Sequence, residues 1–235
     1  MSLGTILTAA ADDRKRVVVY APGDEGTDLA DALATRNLDV YRREIPALSA
    51  DAFVVIRDGS GFRGAVSLTD LLAFLAPPIR RPTELDDLDP AYRAIYELLD
   101  NTVFVSLDRR QLLATSRELE ERAWRLGRGR LHVGFQSSAA FEAQADLYRE
   151  MANATRIDIH VYVPPEGDTT HLDDAPLTVH AIDGELERYW FILFDDEGTG
   201  AQNCALVAEQ QSADRYRGVW TYDPELVEVA FAAIE

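Results

Sequence analysis

From Asp108 to Gln136 the chain has little structural freedom. Asp108 stands three residues before Gln111, the spacing of a reciprocal pair that closes the first turn of a helix. Leu112, Ser116, Leu119, Ala123 and Leu126 then recur at helical intervals until Gly127 and Gly129 stop the run. A strand over residues 131–136 follows at once. A long helix feeding straight into a strand is a building unit of an α/β fold, and the rest of the chain has to supply the sheet.

It does so twice. Leu3, Ile6, Leu7 and Ala10 predict a short helix, and a strand over 16–20, a helix over 27–36 and strands over 38–42 and 53–57 follow. Asp58, Gly59, Ser60 and Gly61 turn the chain into a strand over 62–66, and Ser67 with Asp70 starts a helix. Four of the ten prolines, with several acids among them, then fall between Pro77 and Pro90. Beyond them come a helix over 91–99, a strand over 102–107, the long helix and its strand. A helix opened by Ser137 or Ser138 buries Phe141, Ala145, Tyr148 and Ala152. Strict alternation at Ile157, Ile159, Val161 and Val163 gives the next strand. A second proline-bracketed acidic loop, over 164–176, leads to strands near 177–182, 189–194, 204–209 and 216–222. Asp223 and Pro224 start a last helix.

The expected fold is α/β (mixed α+β), with two lobes and mixed sheets: residues 1–76, a proline- and acid-rich linker at 77–89, and residues 90–235. The lobes echo one another. "FVVIRDGSGFRGAVS" and "WFILFDDEGTGAQNCALVAE" are each a strand, a glycine-containing turn and a returning strand, which suggests a duplicated helix-strand-helix-strand-hairpin-helix topology.

Charge narrows the function. The chain carries 41 acidic and 23 basic residues, a net charge of -18, and Lys15 is its only lysine. Such a field repels polyanions, so nucleic acid is not expected as a partner. It also suits a host that accumulates salt, where self-repulsion is screened. The longest apolar runs fall short of the roughly 20 residues of a membrane helix, and the N-terminus lacks a basic region before its apolar stretch. A cytoplasmic location and no membrane partner are expected. One cysteine, Cys204, forms no internal disulfide.

Several chemistries lack their motifs. There is no GxxxxGK[ST], no GxGxxG after the first strand and no G-x-S-x-G, and the one lysine lies among charges before the first strand. Asp12 and Asp13 precede that strand, so they do not make a receiver-type acidic pair. His132, His160, His171 and His180 contain no i, i+4 pair. Neighbouring strands could gather them, but hydrogen-bonded, half-buried imidazoles are expected rather than a metal site.

The long helix carries a second stripe, Arg117, Glu120 and Trp124, while Glu118 with Arg122 and Glu121 with Arg125 are spaced to pair on its solvated side. The stripe has two readings. It can be internal lacing with Trp124 at the lobe boundary. Alternatively, Arg117, Glu120, Trp124 and Gln136 can line a ligand cleft, with arginine for an anion, tryptophan for a planar group and glutamine for an amide or carbonyl.

"SRELEERAWRLG", then "HVGFQ", Phe141 and Tyr148, "NCALVAEQ" and "YRGVWTYDP" together resemble the DICT sensory domain family, most closely the stand-alone members of halophilic archaea. The resemblance is firmest from about Asp100 to Asp223. It implies a signal-input module and identifies Arg117, Glu120, Arg122, Gly134, Phe135, Gln136, Cys204, Gly218 and Trp220 as family positions. With Trp124, the candidate ligand set is Arg117, Glu120, Gln136, Cys204 and Trp220. The resemblance implies no particular cofactor. No GGDEF, EAL or kinase core is attached, so the expected partner is a signalling protein such as a histidine kinase or regulator, with a small molecule or a second copy of the chain as further options. The apolar residues on two sides of the last helix, Leu226, Val229, Ala230 and Ala233 with Val227, Phe231 and Ile234, are a candidate contact surface. The competing readings are a small-molecule enzyme using Glu120 with a histidine or Cys204, and a structural adaptor without ligand.

Overall fold

The computed structural model describes residues 2–12, 15–27, 29, 38–46, 51–59, 61–75, 95, 98–100, 103–165, 175–182 and 184–234. Strands β1 (Lys15–Ala21), β2 (Leu38–Glu44), β3 (Phe53–Asp58) and β4 (Gly61–Ser67) form one sheet in the order β2-β1-β3-β4. Strands β5 (Val103–Asp108), β6 (Arg128–Gly134), β7 (Arg156–Val163), β8 (Thr178–Ala181), β9 (Tyr189–Asp195), β10 (Cys204–Ser212) and β11 (Arg215–Thr221) form a second, in the order β5-β11-β10-β9-β6-β7-β8. The described helices are α1 (Leu3–Asp12), α2 (Leu68–Leu75), α3 (Arg109–Leu126), α4 (Ser138–Glu142), α5 (Ala145–Ala154) and α6 (Pro224–Phe231). The mixed α/β class with two mixed sheets is as the sequence predicts. The expected helix over 27–36, the linker at 77–89, most of the helix over 91–99 and the loop carrying His171 lie outside the described residues.

The duplicated topology has a structural counterpart. In the small sheet β1 runs parallel to β2 and antiparallel to β3, which pairs antiparallel with β4. In the large sheet β6 runs parallel to β7 and antiparallel to β9, which pairs antiparallel with β10. The order β2-β1-β3-β4 therefore maps onto β7-β6-β9-β10, strand for strand and direction for direction. The large sheet extends this core by β8 on one edge and by β11 and β5 on the other.

Both faces of the large sheet are covered. On one, α3 packs on β5, β6, β9 and β10, and α5 packs on β7. The buried side chains there, among them Leu119, Leu131, Phe135, Ile192, Leu206 and Trp220, belong to a cluster that also takes in Val17, Val19, Val54, Ile56 and Leu71 of the small sheet and α2. On the other face Leu3, Ile6 and Leu7 of α1 and Val227, Ala230 and Phe231 of α6 cover Phe191, Leu193, Val207 and Val219. Two differences from the sequence reading follow. Helix α1 precedes the small sheet in sequence but packs on the large one, because its apolar stripe meets α6 and the open face of β10 and β11. Helix α6 turns most of both apolar sides towards α1 and the large sheet, with Val227, Ala230 and Phe231 buried and Val229, Ala233 and Ile234 partly buried against that cluster, so only Leu226 of the candidate contact surface stays outside it.

Local chemistry sets the helix ends as expected. Asp108 accepts from the Gln111 amide at 2.8 Å and Gln111 accepts from the Asp108 amide at 3.2 Å, a complete capping box. Gly127 ends α3 in the left-handed region at φ 66°. The helix expected after Ser137 is broken: Ser137 caps α4, but Gln144 leaves helical geometry at φ -120° and α5 starts anew. Lys15 is not among surface charges. It opens β1 almost fully buried, with Nζ 2.5 Å from Asp100 Oδ1 and bonded to the carbonyls of Leu98 and Asp100, tying β1 to the turn that precedes β5.

Two of the family glycines are required by close approach. A Cβ on Gly134 would lie 2.0 Å from the Phe191 ring, and one on Gly218 would lie 2.5 Å from both the Phe104 ring and the Val207 carbonyl. Each glycine is the floor under an aromatic ring from a neighbouring strand. Gly134→Ala is expected to cost about 1–3 kcal/mol by overpacking, read by chemical denaturation, with Phe191→Leu in the same chain restoring part of the loss.

Candidate functional site

Helix α3 positions most of the sequence-predicted residues, and it is far more buried than its composition suggests. Eleven of its 18 residues are buried, including Arg117, Glu118, Glu120, Glu121 and Arg122. Buried ions are tolerated only when paired and hydrogen-bonded, so the arrangement of partners here decides the chemistry.

Around Arg117 the partners are internal. Its guanidinium donates to a Glu120 carboxylate oxygen and to the Gln144 side-chain carbonyl, while the Tyr148 hydroxyl donates to the other Glu120 oxygen. The network joins one turn of α3 to the break between α4 and α5. Burial pushes the Glu120 carboxyl up from its ordinary range, with Arg117 and Tyr148 pulling it back. Burial and the neighbouring Glu120 push the Tyr148 phenol well up. Gln144 and Tyr148, which are outside the candidate ligand set, complete the site. Their i, i+4 spacing on the helix after the GFQ strand was the available signal.

The remaining candidates lie elsewhere. Trp124 is half-buried against the main apolar cluster. Trp220 is fully buried and stacks on Phe104 at 5.8 Å. Cys204 is buried at the start of β10, where burial pushes its thiol up to about 12, partly offset by Arg122. Gln136 donates to the Arg188 carbonyl at 2.7 Å and faces an open groove of about 460 Å3 shared with Glu187, Arg188, Gln210 and Ser212. The ligand cleft expected from Arg117, Glu120, Trp124 and Gln136 therefore does not form among the described residues. Helical spacing put three of them on one stripe, but that stripe turns inward onto α4 and α5 while Gln136 leaves β6 at the sheet's rim.

The pairs expected on the solvated side of α3 are also corrected. Glu121 and Arg125 do pair, at 2.9 Å, but Glu121 is buried, as are Glu118 and Arg122. The reason is local: Gln202 bonds the Arg122 guanidinium at 3.3 Å and the Tyr222 ring lies 4.4 Å beneath it, so the ends of β10 and β11 close over the helix. In the β9–β10 turn Asp196 accepts from the amides of Gly198, Gly200 and Gln202. Burial opposes its ionisation, yet these bonds hold its carboxyl below the ordinary range. In the sequence this turn shows only the signature of a glycine hairpin.

On the opposite face of the sheet three histidines meet. His132 is the register partner of His160, and Tyr162 that of His180. His160 Nδ1 and His180 Nε2 are 2.9 Å apart, the Tyr162 hydroxyl and His132 Nδ1 are 3.0 Å apart, and Asp158 lies 3.2 Å from His160 Nε2. Among the described residues no three His, Cys, Asp or Glu side chains are grouped as metal ligands would be. Burial first, then the charges of His160 and Arg130, pushes the His132 imidazole down to about 3.

Comparison with known proteins supplies the family. Residues 93–211 match DICT, described as the sensory domain in diguanylate cyclases and two-component systems. The chain belongs to the DICT family. The match runs from before β5 to the end of β10, so a DICT sheet as built here also needs β11, which lies beyond the match yet stands between β5 and β10. No curated protein matches the chain. Among solved structures the chain is similar to the polyphosphate kinase from Porphyromonas gingivalis, at 15% identity and a TM-score of 0.35, over 98% of this chain and 48% of that one. It thus spans about half the length of that kinase. No helix among the described residues is long and apolar enough to cross a membrane.

His132 makes the DICT sheet sensitive to acid in a defined direction. Its pKa is depressed in the fold and about 6.5 in an unfolded chain, so its contribution is complete above that value and is lost as pH falls towards 3. Thermal unfolding followed from pH 7 to pH 4 should show a shallower decline for His132→Gln than for the parent chain. Identical slopes would contradict this assignment.

Proposed function

We propose that this DICT protein is a non-enzymatic signal-input protein of the cytoplasm that acts by changing its contacts with a signalling partner, such as a histidine kinase or regulator. The observation that carries the reading is the sensory-family match over the large sheet, supported by the burial of Glu120 and Cys204. Glu120 is locked between Arg117 and Tyr148, and Cys204 is buried with a thiol far from thiolate formation at neutral pH. A nucleophile or general base needs access to substrate, and neither group has it.

Among the described residues, a place for a small-molecule input is the groove beside Gln136, where glutamine amides and Arg188 are within reach of solvent. A ligand there shifts the protein only if it binds one conformation better than another. The charge of -18 is read as adaptation to a salt-rich host, because screening relieves self-repulsion.

Native mass spectrometry of the protein taken from its own host in high salt tests the reading. A co-purified small molecule or signalling protein is expected. A bare chain under every growth condition would count against it. In the purified protein, raising KCl from about 0.1 M to about 2 M should raise the melting temperature, since the Debye length shrinks from roughly 10 Å to a few Å.

A further inference from the structure

The small sheet has one face that nothing in the large sheet resembles. Val17, Val19, Val54 and Ile56 point into the shared core, so the alternate residues of each strand point the other way. Strand register sets them in rows. Asp39, Arg16, Arg57 and, after a register shift, Phe62 form one row, with Tyr41, Val18, Val55 and Ala65 in the next, and Arg43, Tyr20, Phe53 and Ser67 in the third. Tyr41 is 50% exposed and Phe62 is 62% exposed, and Arg16, Arg43 and Arg57 are exposed beside them.

Two features of this face are costly unless it is used. Arg16 and Arg57 are directly opposite across an antiparallel pair, an arrangement that like charges destabilise. Each is propped on an aromatic ring, Arg16 at 5.3 Å from Tyr41 and Arg57 at 6.0 Å from Phe62. Among the described residues no carboxylate lies within ion-pair distance of Arg16, Arg43 or Arg57, although the chain holds 41 acids. The result is a cationic, aromatic surface on a protein of net charge -18.

We infer that this open face is a docking surface for an acidic protein segment that also carries apolar side chains, its carboxylates meeting Arg16, Arg43 and Arg57 and its apolar groups covering Tyr41, Phe53 and Phe62. Charge complementarity selects the class. A nucleic acid would have to bring a long run of phosphates into the field of the whole acidic chain, whereas a short segment senses mainly the three arginines. The inference deepens the signal-input reading and rests on it for the identity of the partner as a signalling protein.

The test uses the full chain and a fluorescently labelled 12-residue peptide alternating Glu and Leu, with an alternating Lys and Leu peptide and a 12-nucleotide oligo(dT) as comparisons. The Glu peptide should bind and the Lys peptide should not. The R16E/R57E variant, still unfolding in one cooperative transition, should weaken the Glu peptide at least tenfold and should gain binding of the Lys peptide. Equal binding of the Glu peptide by parent and variant overturns the proposal, as does tighter binding of oligo(dT). A parent dimer that R16E/R57E dissociates, seen by sedimentation, also overturns it by making a second copy the occupant. A chain that ignores the Glu peptide yet co-purifies with a signalling partner loses this docking face and keeps the signal-input reading.

Discussion

The structure depends on the pairing of charge inside helix α3. Its buried side includes five arginine and glutamate side chains, Arg117, Glu118, Glu120, Glu121 and Arg122, where a simple amphipathic helix would have apolar ones. Taking Arg117 and Glu120 out of water is unfavourable by several kcal/mol for each ion, and only mutual contact with further hydrogen bonds offsets that. Tyr148 and Gln144 provide those bonds. Since both come from the segment between β6 and β7, the ion pair also determines where that segment sits. The break at Gln144 that interrupts the expected single helix brings a hydrogen-bond acceptor to Arg117.

Seen this way, many family positions have structural duties. Gly134 and Gly218 leave room for Phe191 and Phe104. Trp220 lies against Phe104, and Phe135 packs among Phe141, Tyr148 and Trp190. Arg122 clamps the ends of two strands through Gln202 and Tyr222. What these residues build is a sheet covered on both faces, with the rim groove at Gln136 and one face of the small sheet left exposed among the described residues.

Much of this was legible in the sequence, and the exceptions have a common cause. Period and punctuation located nearly every described strand and helix, because the capping pair at Asp108, the glycines after Leu126 and the alternation from Ile157 to Val163 are local signals. The repeated hairpin was visible too, and the matching strand orders agree with it. What local signals cannot carry is which elements share a face. Helix α1 crosses to the large sheet, the Arg117 stripe turns inward, and three histidines separated by up to 48 residues meet through strand register alone. Charge in a helix also reads as solvent exposure. Arg122 breaks that rule because Gln202 and Tyr222 at the strand ends close over it, and Glu118 and Glu121 on the same helix are buried too.

The central claim is that Arg117 and Glu120 are each other's required partner inside the fold and do not wait for a ligand. A double-mutant cycle on Arg117→Met and Glu120→Leu, measured by chemical denaturation, tests it directly. Each single change strands a buried charge and should cost about 3–5 kcal/mol, while the double change should recover most of that loss. Single variants as stable as the parent chain, with additive effects, would contradict the account and return the pair to a binding role.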